Sequence, residues 1–177
     1  MENFGFKKLS VDNWLEPDEP LKFFVDISSE GRARPIPIEE WVQRILEPRL
    51  LPTIPEEVRS LFEVARGAML YGCLFYPLFT LSVEQVSRVA EAAISHKCRL
   101  MEYPSPKDAL KGKIDWLANQ GVLSEADKDR WHAIREFRNE VSHPKMQMIL
   151  PPGNVLRVSN KMISNVTPSE ARSLVGA

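Results

Sequence analysis

Histidine and cysteine are scarce in this chain, and the scarcity excludes several chemistries. There are three histidines (His96, His132, His143) and two cysteines (Cys73, Cys98) among 177 residues. Two isolated thiols make neither a disulfide framework nor a zinc ribbon. Both lie in stretches with helical apolar periodicity and read as small buried hydrophobes. No cluster of His, Cys, Asp and Glu has zinc- or magnesium-type spacing, so neither a metal nor another cofactor is expected. Glycine, with eight residues, forms neither a P-loop nor a dinucleotide-type fingerprint. No apolar run reaches the roughly 20 residues that span a bilayer. The richest, Met69–Leu81, is broken by Gly72 and Pro77, and no membrane partner is expected. The N-terminus carries neither a basic region nor an apolar one, so the expectation is no signal peptide and a reducing cytoplasm. An excess of either charge is also missing. Lys and Arg number 23 against 24 Asp and Glu, a formal net charge of -1. Bulk electrostatics therefore cannot hold nucleic acid, and an RNA-directed activity would need a local basic surface or a cleft built by two subunits.

What is present is a globular balance: 44% apolar and 27% charged residues, enough for one domain with an extension. The extension comes first. Pro17, Pro20, Pro35 and Pro37 punctuate a stretch of acidic and aromatic residues. Leu21–Ile27 reads as a short strand ended by Ser28-Ser29-Glu30-Gly31-Arg32. Trp14, Phe23 and Phe24 are the candidate anchors by which this arm packs on the rest of the chain or on a partner. The pattern divides the chain into an arm, residues 1–54, with one short helix over Ile38–Leu46, and a helical unit, residues 55–177.

Helical periodicity carries the rest. A second helix starts near Pro55, a residue tolerated in the first turn, with Glu56 and Glu57 complementing the dipole. Val58, Leu61, Phe62, Ala65, Met69, Gly72 and Cys73 form its apolar face, and Pro77 should end or kink it. A third helix is expected from an N-cap at Ser82 to about Met101, with Val83, Val86, Ala90, Ala93 and Ile94 inward. Glu84, Arg88, Glu91 and Ser95 form its polar stripe, most simply an intrahelical salt-bridge ladder. A fourth helix covers about Lys107–Asn119 and ends in a left-handed cap at Gly121. Ser124, with Asp127 three residues later, marks the start of a fifth helix that runs to Ser142 or His143. A last helix is expected over Pro152–Val166.

The fifth helix carries the chemistry. Trp131, Ile134, Phe137 and Val141 form its inward stripe, and Arg138 lies beside that stripe. A guanidinium stays charged at any relevant pH, so a buried Arg138 needs an acidic partner, which Glu91 or Glu84 would supply. His132, Glu136, Asn139 and His143 line the opposite face. Asn139 stands four residues before His143 and within reach of its imidazole. On an ideal helix Arg138 and His143 point about 140° apart. A site using both requires distortion at the pre-proline end or a second subunit. His132 and His96 read as solvated or satisfied surface residues.

Arg138-Asn139-Glu140-Val141-Ser142-His143 resembles the Arg-Asn-x-x-x-His motif of the HEPN domain superfamily, in particular its DUF4145-like bacterial branch. The setting is similar too: the motif closes an amphipathic helix before Pro144, after the turn Asn119–Ser124. It lies downstream of a helix bearing Arg88-Val89-Ala90-Glu91. The resemblance spans about residues 55–166. It implies an all-α, four- to five-helix HEPN-like bundle with an irregular N-terminal arm, paired as a homodimer so that two motifs face one cleft. It also implies a metal-independent endoribonuclease acting on RNA such as tRNA or rRNA, as a toxin or phage-defence effector. His143 would be the general acid/base and Arg138 the stabiliser of phosphorane charge. Asn139 would hold the histidine or contact phosphate, with Glu91 and Arg88 supporting. The alternative within the family is a silent interaction module that meets a protein partner or antitoxin through the arm. A third reading, a DNA-binding helix-turn-helix built on the Gly121 turn, is opposed by Glu125, Asp127 and Asp129 at the front of its recognition helix.

Overall fold

The computed structural model describes residues 5–23, 25–27 and 29–141. It is an all-α bundle with an N-terminal arm. Five helices, α1 (Ile38–Leu46), α2 (Glu56–Tyr71), α3 (Pro77–Leu100), α4 (Leu110–Asn119) and α5 (Glu125–Val141), follow a small antiparallel ribbon of β1 (Val25–Ile27) and β2 (Ala33–Pro35). Helix α3 is the central element and touches α2, α4 and α5, while α1 packs on α2. Helices α2 and α3 run antiparallel. Arg99 near the end of α3 reaches Glu57 at the start of α2 at 3.5 Å.

Two apolar clusters hold the elements. The larger joins Val58 and Phe62 of α2, Val89, Ala93 and Ile94 of α3, Ile114 and Leu117 of α4, and Trp131 of α5. Each buried Val, Leu, Ile or Phe among them contributes roughly 1.5–3 kcal/mol by leaving water. The smaller cluster fastens the arm. Trp41 and Ile45 of α1 meet Met69, Cys73, Tyr76 and Phe79, with Trp41 edge-on to Phe79 at 5.8 Å. Gly72 makes this approach fit, because a Cβ there would stand 2.5 Å from the Phe79 ring.

The beginning of α3 differs from the sequence expectation. The helix starts at Pro77, and Ser82 is a fully buried residue inside it rather than its cap. Proline at the first helical position has no N–H to lose and a φ already suited to the helix. Pro77 therefore both separates α2 from α3 and opens α3. The buried amide at the helix start is met from the arm. Asp18 is buried, and its carboxylate accepts the Tyr76 N–H at 2.9 Å and the Lys7 N–H at 2.9 Å. No local pattern marks a cap 58 residues away.

Helix α4 starts at Leu110, later than the expected Lys107, whereas its end and the start of α5 follow their local chemistry. Gly121 has φ 70°, and Val122 N–H donates to Leu117 O at 3.0 Å, the left-handed cap expected for α4. Ser124 Oγ accepts the Asp127 N–H at 3.1 Å and opens α5. Helix α3 ends in the same geometry as α4, but Glu102 with φ 56° takes the place where glycine is usual. There Tyr103 N–H donates to Cys98 O at 2.9 Å.

The arm is corrected in detail. Leu21 belongs to a 3-10 turn over Glu19–Phe23, and the strand is only Val25–Ile27. Trp14 is 57% exposed and is not part of either apolar cluster among the described residues. Phe6, edge-on to Phe75 at 5.6 Å, does that work instead. Phe24 and the side chain of Phe23 lie outside the described residues. A four-charge network ties the ribbon to α1: Arg34 grips Glu40 at 2.8 Å and Asp26 at 3.1 Å, and Arg44 binds both carboxylates.

Candidate functional site

Helices α3 and α5 bring the first pair of expected site residues together. Glu91, half-buried on one edge of α3, has the buried Val89 two residues before it and the buried Ala93 two after, both turned toward the core. Arg138 follows Ile134, which packs against the core, by one helical turn. The alignment of the two stripes sets Arg138 Nη1 3.0 Å from Glu91 Oε2. Both side chains are 38% exposed, so the pair lies at the rim of the bundle, open to a ligand. Of the two acidic partners the sequence offered, Glu91 takes the role and Glu84 does not. The expected ladder within α3 is also not formed: among the described residues neither Glu84 nor Glu91 pairs with Arg88, whose side chain is exposed.

A guanidinium carries five N–H donors. The contact with Glu91 uses Nη1 and orients the fork, leaving further donors for an anion. That is the geometry of a positioned, permanently charged group. Asn139 is exposed beside it on α5. His143 and Ser142 lie outside the described residues, as does the helix expected over Pro152–Val166. The side chains of Phe137 and Val141, expected inward, are likewise outside the description.

The upper half of α5 shows a second polar group that the sequence reading left among surface residues. His132 is only 19% exposed, and its Nε2 sits 3.0 Å from Asp115 Oδ1 of α4. Lys128 approaches the same carboxylate at 3.8 Å. His132 Nδ1, Arg135 Nε and Trp131 Nε1 are buried without a hydrogen-bond partner among the described residues. Arg135 is three residues after His132 and four before Asn139, hence on the same stripe. Helical spacing alone would have shown that alignment, though not that Asp115 faces His132. Among the described residues no three His, Cys, Asp or Glu side chains are grouped to hold a metal ion. No helix among them is long and apolar enough to cross a membrane.

Residues 69–158 match a family described as a domain of unknown function, DUF4145. The match covers just over half of the chain. The chain belongs to the DUF4145 family. The DUF4145 segment takes in the end of α2, all of α3, α4 and α5, and the whole Arg138–His143 hexapeptide. It falls inside the span over which the sequence resembles HEPN domains and leaves the arm and α1 outside. No curated protein and no solved structure matches the chain.

Proposed function

We propose that this DUF4145 protein is an RNA endonuclease of the HEPN type, a homodimer that cleaves without a metal ion. The single observation that carries the reading is the Glu91–Arg138 pair at the rim of the bundle, because it orients the arginine that heads Arg-Asn-x-x-x-His. The arm, residues 1–54, is a docking extension on a catalytic unit, residues 55–177.

In this reading the RNA 2′-oxygen attacks the adjacent phosphorus while His143 removes its proton. The bond from phosphorus to the 5′-oxygen breaks, and that oxygen leaves as it takes a proton from the imidazolium of His143. The ends are a 2′,3′-cyclic phosphate and a 5′-hydroxyl. An imidazole with a reference pKa near 6.5 suits both proton transfers. Arg138 stabilises the charge that builds on the phosphorane oxygens. Asn139 holds His143 or the phosphate. Glu91 is a positioning residue for Arg138, and Arg88, exposed one turn before it, contacts the RNA backbone. Since Arg138 and His143 diverge by about 140° on an ideal helix, the second subunit completes the cleft. The substrate class is structured RNA such as tRNA or rRNA, and the biological setting is a toxin or phage-defence effector in the cytoplasm.

A second reading has one observation in its favour. Leu9, Val11, Trp14 and Leu15 are all exposed on the arm, which suits a protein partner or antitoxin. On that reading the bundle is a silent interaction module and the Glu91–Arg138 pair only joins two helices.

Cleavage of total tRNA and rRNA by purified protein in EDTA, beside His143→Ala and Arg138→Ala, separates the two. The nuclease reading expects cleavage by the parent protein and none by either folded variant. An inert parent dimer at high concentration would leave the interaction module.

A further inference from the structure

At the C-terminal end of α3, a cavity of about 330 Å³ opens between α3 and α4 without a lining residue from α5. That is near the lower end of small-molecule sites. Lys113 of α4 lines it, and the ammonium donates to Ser95 Oγ at 3.1 Å. Among the described residues no carboxylate stands within ion-pair distance of Lys113. Arg99 lines the same space and is held only loosely, at 3.5 Å, by Glu57. Opposite in charge is Glu102, the residue that keeps a left-handed conformation where glycine would be cheaper.

The remaining wall is neutral. Tyr103 packs 4.9 Å from Trp116, and its phenol donates to Asp108 at 2.6 Å. That bond is the main reason the phenol is pushed up to about 12. Gly112 leaves room for it, since a Cβ there would come within 3.4 Å of the phenol oxygen. Burial raises the Cys98 thiol as well, so neither group adds a charge to the cavity. Pro106 completes the apolar side.

We propose that this pocket binds a free α-amino acid with an apolar side chain. Two cations and one carboxylate around a mainly apolar cavity complement a zwitterion carrying an apolar group. The ligand carboxylate meets Lys113 and Arg99 through charge-assisted hydrogen bonds, its ammonium meets Glu102, and its side chain lies on Tyr103, Cys98 and Pro106. A phosphate fits worse. Glu102 and the carbonyl end of α3 both oppose a dianion. The inference stands apart from the ribonuclease reading, because it involves neither α5 nor RNA.

The test is calorimetric titration of the full chain with L-leucine, L-methionine and L-phenylalanine. Leucinamide, N-acetyl-leucine and inorganic phosphate are the comparison ligands. Saturable binding by at least one amino acid is expected, with amide and N-acetyl analogues roughly tenfold weaker or more, as for loss of one charged contact. Lys113→Met should abolish the preference over leucinamide, and Glu102→Gln the preference over N-acetyl-leucine. Absence of saturable binding by all three amino acids, or tighter binding of phosphate, overturns the proposal. So does wild-type binding that ignores both analogue changes, a comparison that needs no variant to fold.

Discussion

Arg138 of α5 meets Glu91 of α3 across 3.0 Å at the edge of the bundle. With both partners more than a third exposed, water screens their attraction, and such pairs contribute only about 0.2–1 kcal/mol. A double-mutant cycle over Glu91→Gln and Arg138→Gln in urea should return a coupling in that range. If Arg138 acts on phosphate, Glu91→Gln should lower kcat for RNA cleavage about tenfold or more while KM moves little. A purely structural pair would instead show loss of activity only in proportion to the unfolded fraction.

Gly72 and Gly67 lie near one another in sequence, yet they should respond in opposite directions. A methyl at position 72 enters the Phe79 ring, which is buried against Trp41 and Tyr76 and cannot turn aside. Gly72→Ala should cost roughly 1–3 kcal/mol. At Gly67, inside α2, a Cβ meets nothing within 4 Å, and Gly67→Ala should add about 0.5–1 kcal/mol. Thermal melts of the two variants on opposite sides of the parent are the expected result; equal shifts would contradict the packing described around Phe79.

Asp18 should matter more than any other carboxylate of the arm. It is buried, and it accepts the backbone N–H groups of Lys7 and Tyr76, both at 2.9 Å. Asp18→Ala strands both donors and should cost about 1–3 kcal/mol. Exchange of the Tyr76 amide, read by hydrogen–deuterium exchange, should quicken in the same variant. An unchanged Tyr76 amide would show that Asp18 does not cap α3.

The ribbon should loosen from α1 in acid. Hydrogen bonds from Arg34, then Arg44, hold Glu40 down at about 2, against an ordinary 4.5. Asp26 is lowered too, chiefly by its hydrogen bond to Arg44. A carboxylate depressed in the folded state favours folding above its unfolded pKa. That contribution fades as pH falls from about 4.5 toward about 2. Carbon chemical shifts of the Glu40 carboxyl, followed through that window, should titrate well below a free glutamate. High salt should move the midpoint upward because these groups face water. A midpoint at the ordinary value would dissolve the network in solution.

Local chemistry made much of this fold legible before any coordinates. The bounds of α1, the cap at Gly121 and the Ser124 start of α5 follow from proline, glycine and serine acting on their immediate neighbours. The inward positions of Phe62, Ile94 and Trp131 follow from helical period. The start of α3 was misread because Pro77 is both a stop and a start, and the group that caps the helix comes from the distant Asp18. The strand in the arm was overextended because a three-residue ribbon has too short a period to separate from a 3-10 turn.

By itself the sequence determined which residues are chemically able: a permanent cation at Arg138, an adjacent amide at Asn139, and a titratable imidazole at His143. It also determined that Arg138 would need an acid. Only tertiary structure decided that the acid is Glu91 rather than Glu84, that Asp115 faces His132, and that Lys113 and Glu102 share a cavity. Periodicity specifies the face of one helix, whereas the rotation and depth at which two helices pack is settled by how their side chains interlock. The Glu91–Arg138 and Asp115–His132 pairings lie across such interfaces, and the Lys113–Glu102 cavity lies where the end of α3 meets α4.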